Sequence, residues 1–224
     1  MKNILIIISL ILVLLSCNND EQGLNNDKPM ILSDHIIAGQ KSGAGISYFD
    51  FEPDINCYIS EPWVKQDTSI QLDLNKDGIN DFIFHRQMSN PGFLGYINDQ
   101  VTLVPLNNNE VCVIPTIYSK PANESCKHSV LDWVVKLSSS DTIHSLNLST
   151  NKKSLIYEYS DVINPCWLEE GFWSSVAKVN DKYIGFKIVK DNKNYYGWIG
   201  MHADNFRGLN FIITDYATTQ LYKE

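Results

Sequence analysis

Hydrophobic and polar positions alternate along this chain in short runs, and no long segment carries a 3.6-residue period. Gly45–Phe51, Ser69–Leu74, Asp81–His85 and Val101–Pro105 read as strands. So do Glu110–Ile117, Val130–Leu137 and Thr142–Leu148. The C-terminal third continues the pattern with Phe172–Val179, Lys182–Val189, Tyr195–His202 and Leu209–Tyr216. Turn residues divide these runs: Pro91-Gly92, Asn107-Asn108-Asn109, Asp181 and the Asp191–Asn194 cluster. Short strands with turns between them predict an all-β fold, a single antiparallel sandwich or jelly-roll-like domain. Helix is expected only in short connections, with Pro165–Gly171 the first choice. No internal stretch rich in Pro, Gly or Ser marks a boundary, so one domain is expected over 31–224.

The first residues break the pattern. Lys2 precedes an apolar run from Ile4 to Leu15, interrupted only by Ser9. Such a run is too short for a hydrocarbon core of about 30 Å, and suits a signal peptide. It ends in Leu14-Leu15-Ser16-Cys17, which resembles the lipobox of bacterial lipoproteins. The resemblance implies a signal peptide over 1–16, lipidation of Cys17, and membrane attachment through the acyl chains. Two or three chains hold firmly, because each buried CH₂ contributes about 0.8 kcal/mol. Residues 17–30 then form a lipidated cysteine and polar tether. Asp20-Glu21 within it resembles the export signal of Bacteroidetes-type lipoproteins, which implies the outer membrane and the cell surface in preference to the periplasmic face.

Composition narrows the partners. The chain has 224 residues with Lys+Arg 18 against Asp+Glu 26, a net charge of −8. Only Arg86 and Arg207 are arginines, so nucleic acid is not an expected partner. Beyond the membrane, a polysaccharide or an envelope protein remains as a candidate partner. After Cys17, four cysteines are left in an exported chain: Cys57, Cys112, Cys126 and Cys166. Two disulfides can form. Cys112 with Cys126 and Cys57 with Cys166 is the favoured pairing among three connectivities, and four buried free thiols are the alternative.

One motif carries chemistry. Residues 73–81 read Asp-Leu-Asn-Lys-Asp-Gly-Ile-Asn-Asp. In a tight loop, alternate side chains converge on one centre, and a glycine at the sixth position permits the turn. The candidate donors are Asp73, Asn75, Asp77, the backbone carbonyl of Ile79, and Asp81, directly or through water. All are hard oxygens, which suits Ca²⁺. An EF-hand requires a glutamate where Phe84 stands, and the flanks alternate as strands, so an EF-hand is excluded. The loop resembles the strand–loop–strand calcium loops of FG-GAP, VCBS and related extracellular modules. The plainer alternative is a hairpin of turn-forming residues without a metal.

With that loop upstream, the segments Tyr183-Ile184-Gly185-Phe186-Lys187-Ile188, Tyr196-Gly197-Trp198-Ile199 and Ile213-Thr214-Asp215-Tyr216-Ala217 resemble exported β-rich proteins of Bacteroidetes and of PEP-CTERM-bearing bacteria. The likeness spans about 45–219. It departs at Gly200-Met201, where an arginine usually follows, and at Thr218. It implies fold and compartment and no reaction.

Other chemistry is thinner. Trp63, Trp133, Trp167, Trp173, Tyr195 and Tyr196 are candidates for an aromatic platform that stacks on sugars, with core packing as the alternative. The chain has no H-E-x-x-H, no G-x-S-x-G and no phosphate-binding glycine loop. Glu169-Glu170 are neighbours in sequence, and on a strand they face opposite ways. The expectation is a lipid-anchored envelope protein with a structural Ca²⁺ loop that acts as a non-catalytic binding or structural module. A surface glycan-binding lipoprotein is the alternative.

Overall fold

A computed structural model describes residues 35–57, 66–89, 96–114, 133–144, 148–150, 153–161, 166–170, 179–204 and 210–219. The lipobox, Cys17, Cys126, Trp63, Trp173 and Pro91-Gly92 lie outside these residues. The strands are β1 (Ile36–Ile37), β2 (Ile46–Cys57), β3 (Gln66–Leu72), β4 (Phe82–Ser89), β5 (Tyr96–Pro105), β6 (Glu110–Ile114) and β7 (Trp133–Val134). They continue with β8 (Thr142–Ile143), β9 (Leu148–Ser149), β10 (Lys153–Asp161), β11 (Cys166–Glu170), β12 (Val179–Lys190), β13 (Lys193–Asp204) and β14 (Asn210–Thr219). The fold is all-β, with no helix among the described residues.

The main sheet runs β2-β14-β13-β12-β6-β7-β10-β5-β4-β3, with β11 beside β10 and β9 beside β6. Its long ladders are antiparallel, and a parallel contact joins β10 to β7 at Ser154 and Trp133. β6 is where the sheet turns. Val111 pairs with Phe186 of β12, while Val113 and Ile114 pair with Val134 and Trp133 of β7. The two halves then face each other. The Phe82 ring of β4 lies 5.4 Å from the Phe186 ring of β12, although the two strands are far apart along the sheet. Between the halves sit Leu72, Phe84, Leu103, Ile184, Ile199, Phe211 and Tyr216, all buried. Burying such side chains stabilises by about 1.5–3 kcal/mol each.

The half containing β12, β13 and β14 is covered on its other face as well. Trp198, Tyr196, Cys112 and Ala217 pack there with Ile36, Ala38 and Ile143 from the small β1–β8 ribbon. Lys41, just after β1, pins that segment down. Its Nζ lies 2.7 Å from Oδ2 of the buried Asp215, and Tyr48 donates its hydroxyl to the same oxygen at 3.0 Å. Trp198 donates its Nε1–H to the carbonyl of Gln40 at 3.2 Å.

Several expectations change at this level. Pro165–Gly171 does not form a helical connection, because Cys166–Glu170 pairs along its length with β10. β10 itself had no counterpart in the sequence pattern. Leu155 sits at an irregularity in its pairing with β5, and its polar residues hide the alternation. Of the expected run 130–137, residues 133–137 are described and Trp133–Val134 is strand; of 142–148, Thr142–Ile143 forms β8 and Leu148 opens β9, and residues 130–132 and 145–147 lie outside the described residues. The asparagine tip turns the chain but does not close a hairpin: Asn107 and Asn108 take φ of 51° and 64°, yet β5 pairs with β4 and β10 while β6 leaves to pair with β12, β7 and β9. Asp191 and Asn192, with φ of 50° and 57°, do close the β12–β13 hairpin. Paired left-handed residues match the twist of the strands they join.

Glycine at 197 is set by close packing. A Cβ there would overlap Cζ of Phe186 and lie 2.6 Å from the carbonyl of Ala217. Gly197→Ala should therefore destabilise by about 1–3 kcal/mol, the cost of overpacking. Gly78→Ala meets no atom within 4 Å and should cost only the strain of its φ of +86°, about 1 kcal/mol. Urea midpoints of the two variants check the order; equal losses would contradict it.

Candidate functional site

The loop between β3 and β4 is built around Asp81. Its amide donates to the carbonyl of Leu72 at 2.7 Å, which closes the loop where the two strands begin to pair. Its carboxylate, only 3% exposed, then turns back into the loop. Oδ2 accepts the amides of Leu74 at 2.9 Å and Asn75 at 3.2 Å. Oδ1 accepts the side-chain amides of Asn75 at 3.3 Å and Asn109 at 3.0 Å. Asn109 comes from the turn between β5 and β6 and is itself buried, and its own oxygen accepts the amide of Val189 in β12 at 2.9 Å. The Asp81 carboxylate thus joins its own loop to the β5–β6 turn, and Asn109 passes the connection on to β12. Burial raises the Asp81 carboxyl, and the Leu74, Asn75 and Asn109 donors pull it back down in part.

The rest of the loop is wound by short side-chain to backbone bonds. Asp73 accepts the amides of Asp77 at 3.2 Å and Gly78 at 2.7 Å. Asn75 Oδ1 accepts the Asp77 amide at 2.9 Å, and Asp77 Oδ1 accepts the Ile79 amide at 2.9 Å. These are Asx turns, the conformation that aspartate and asparagine favour locally. Lys76 takes φ of 58°, and its ammonium lies 3.5 Å from the centroid of the Phe49 ring, a cation–π contact. Ile79 stands out at 59% exposure.

A second cation touches the loop. Lys190, the last residue of β12, places Nζ 3.1 Å from Oδ2 of Asp77. Partial burial works to raise Asp77, but the Ile79 amide and the Lys190 ammonium outweigh it and hold the carboxyl below its ordinary range. Lys190 is raised in turn, chiefly by the hydrogen bond to Asp77.

The five sequence candidates therefore divide. Asp73, Asn75 and Asp77 share the wound part of the loop, with Ile79 directly after it. Asp81 is committed inward to four donors and serves as the anchor of the loop. Among the described residues no three His, Cys, Asp or Glu side chains gather as a metal-holding group. The donor set that still suits Ca²⁺ is Asp73, Asn75, Asp77 and the Ile79 carbonyl: hard oxygens on a tight turn. Asp81 does not fit as a direct ligand, because its oxygens are already filled.

The other candidates fare differently. Cys112 carries a free, buried thiol, and its expected partner Cys126 lies outside the described residues. The thiol fills a gap over Gly185, where a Cβ would come within 2.7 Å of Sγ. Burial pushes it up to about 12, which makes it an inert core thiol. Cys57 ends β2 opposite Phe211, and Cys166 opens β11 opposite Asp161. Trp133, Tyr195 and Tyr196 are 5–6% exposed and belong to the interior. They do not form a platform, because the folded sheet and the β1–β8 ribbon cover both faces that they occupy. One grouping was hidden from the sequence. Glu158 of β10 stands opposite Asp99 of β5 on one side and Glu169 of β11 on the other. Only strand register could bring these three acidic residues into a row.

No protein-family model, curated protein or solved structure matches the chain.

Two outcomes follow from the loop. Asp81→Ala removes the acceptor of the Leu74 and Asn75 amides and of the Asn75 and Asn109 side-chain amides and should cost about 3 kcal/mol, against about 2 kcal/mol for Asn109→Ala, read from urea unfolding. Acid titration separates Asp77 from Asp81. The folded Asp77 lies below its unfolded value, so its stabilisation is present above the unfolded value and lost as pH falls through the folded one. Asp81 is raised and has the opposite sign: its share is present below the unfolded value and fades as pH rises through the folded one. Asp77→Asn should flatten the loss of stability below about pH 4. An unchanged acid limb would show that the Lys190 contact does not act in solution.

Proposed function

We propose that the chain is a lipid-anchored protein of the outer membrane, a non-catalytic binding or structural module whose β3–β4 loop takes Ca²⁺ as a structural clamp. The observation that carries the calcium part is the winding of the loop. Asn75 and Asp77 each spend one oxygen, and Asp73 both of its oxygens, on the amides that fix the turn. A carboxylate oxygen has two lone pairs, so accepting one amide leaves it capacity for a cation. Asp77 already draws a cation, Lys190, to its outer oxygen. Asp81 holds the frame from inside and is no part of the ligand set. The ion, when bound, supplies charge neutralisation for a group of acids on a turn that would otherwise repel.

The anchor rests on Lys2, the run from Ile4 to Leu15, and Cys17 behind Ser16. The tether over 18–30 leads from it into the strand-rich domain. Nothing in the loop is arranged for bond making. Its carboxylates are tied to backbone amides, and no general acid–base pair faces a cleft there.

The test has two arms. A chain expressed in its bacterial host should incorporate labelled palmitate and sediment with membranes, and Cys17→Ser should do neither. For the loop, an affinity of about 10⁻⁴ to 10⁻³ M is expected of extracellular calcium modules. A hundredfold excess of Ca²⁺ over that constant stabilises by about 2.7 kcal/mol. For a domain of this size the melting temperature should rise by about 5–10 °C. Asp77→Ala should abolish the rise; an equal rise in both proteins would defeat the calcium reading and leave the anchor untouched.

A further inference from the structure

We infer that the open edge of β3 docks a second copy of this chain, which adds its own β3 antiparallel across a two-fold axis at Ser69. The inference uses neither the calcium nor the anchor reading and goes beyond both, since it supplies a partner.

The strand order of the main sheet ends in β2 and in β3, and the two ends are built differently. β2 is guarded. Pro53 in its middle has no N–H to give, and Asp50, Glu52 and Asp54 stand exposed around it. Proline and charged side chains are what keep an edge strand from pairing with another chain. β3 carries no proline and a single charge, Asp67. Among the described residues it pairs with β4 alone. Asp67, Thr68, Ser69 and Gln71 are exposed, Thr68 even though it alternates with Ile70 and Leu72, which pack on the core.

The backbone sets the register. Along an antiparallel strand, the N–H and C=O of one residue point to one side and those of the next to the other. Leu72 turns its carbonyl to the Asp81 amide at the start of β4. Thr68 and Ile70 then bond toward β4 as well, and Asp67, Ser69 and Gln71 present N–H and C=O at the open edge. Pairing centred on Ser69 sets that residue opposite its own copy and Asp67 opposite Gln71 of the second copy. Each of the three then exchanges a donor and an acceptor. The side chains agree with this register. Gln71 accepts from Asn80 through Oε1 at 2.6 Å, which leaves Nε2 to donate. Asp67 engages His85 through Oδ1 at 2.6 Å, which leaves Oδ2 to accept. Ile70 meets Thr68 of the second copy on the core side. One residue beyond each end of the strand, Lys65 falls opposite Asp73, so opposite charges face each other. An axis at Asp67 would instead set that carboxylate against its own copy. The contact is self-complementary and closed, so assembly stops at the dimer.

Ser69→Cys in the full chain, solubilised in detergent, tests this. Opposed residues of a hydrogen-bonded antiparallel pair have Cα atoms about 5.5 Å apart, within the span of a disulfide. Mild oxidation should therefore give a covalent dimer in about tenfold higher yield than Asn56→Cys, which is exposed on the guarded β2. Without oxidant, sedimentation of the parent should pass from monomer to dimer over about 1–100 μM, the range of a small interface. Ser69→Glu sets two carboxylates against each other on the axis and should raise the dimer dissociation constant about three- to tenfold, with the urea midpoint of the monomer as the check on folding. Equal cross-linking of Ser69→Cys and Asn56→Cys, or a parent that stays monomeric over that range, would overturn the pairing. A monomeric parent whose β3 amides gain protection from a peptide copying residues 66–72 would overturn the second copy as occupant and give the edge to a foreign strand.

Discussion

The buried carboxylate of Asp81 is the constraint on which the rest of this region depends. A charge that is 3% exposed is costly unless it is hydrogen-bonded on every side. Here it gathers two backbone amides from its own loop and two side-chain amides, one of them from the turn between β5 and β6. That requirement fixes more than the loop. Asn109 can reach Asp81 only if the β5–β6 turn lies against the start of β4. The Asn109 oxygen can take the Val189 amide only if β12 lies alongside. One desolvated charge thereby ties the β3–β4 loop, the β5–β6 turn and the end of β12 together at one end of the folded sheet.

Close approach of backbone and side chain does comparable work on the other half. Trp198 is fully buried on one face of β13 while Ile199 is fully buried on the other. A strand apolar on both faces needs cover on both. The first face receives the β1–β8 ribbon, and the second receives the facing half of the sheet. The Lys41–Asp215 pair holds the ribbon's N-terminal strand in place, and Asp215 has room because Gly200 beside it lacks a Cβ. A single extra residue, Thr214, shifts the register of β14 against β13, so that Ile213 and Tyr216 can both face the main core.

The motif holds acids of two placements that its spacing does not separate. Asp73, Asn75 and Asp77 wind the turn by accepting the amides of Asp77, Gly78 and Ile79. Asp81, at the end of the same motif, is wholly structural. Had Asp81 faced outward as a ligand, the amides of Leu74 and Asn75 and the amide of Asn109 would lack acceptors inside the fold, which costs about 1–3 kcal/mol per group. Lys190 completes the picture, since an acidic turn on an acidic protein draws the nearest flexible ammonium.

The all-β character, the Asn107-Asn108 and Asp191-Asn192 turns and the acidic loop were legible in the sequence, because alternation and turn chemistry are local properties of the chain. The likeness of the N-terminus to a lipobox is local in the same way. The short β7, β8 and β9 and the pairing of Cys166–Glu170 with β10 were not legible. They exist only as partners of strands distant in sequence, and their own residues carry little period. The direction of Asp81, the burial of Trp133, Tyr195 and Tyr196, the free thiol of Cys112 and the row Asp99–Glu158–Glu169 were also out of reach. Each is decided by register and by which face is covered, and a shift of one residue reverses a side chain's face. The sequence by itself determined which segments extend and where they turn. The tertiary structure alone decided which oxygen of the acidic loop meets the Asn109 amide and which meets Lys190, because those partners come from segments that only folding brings together.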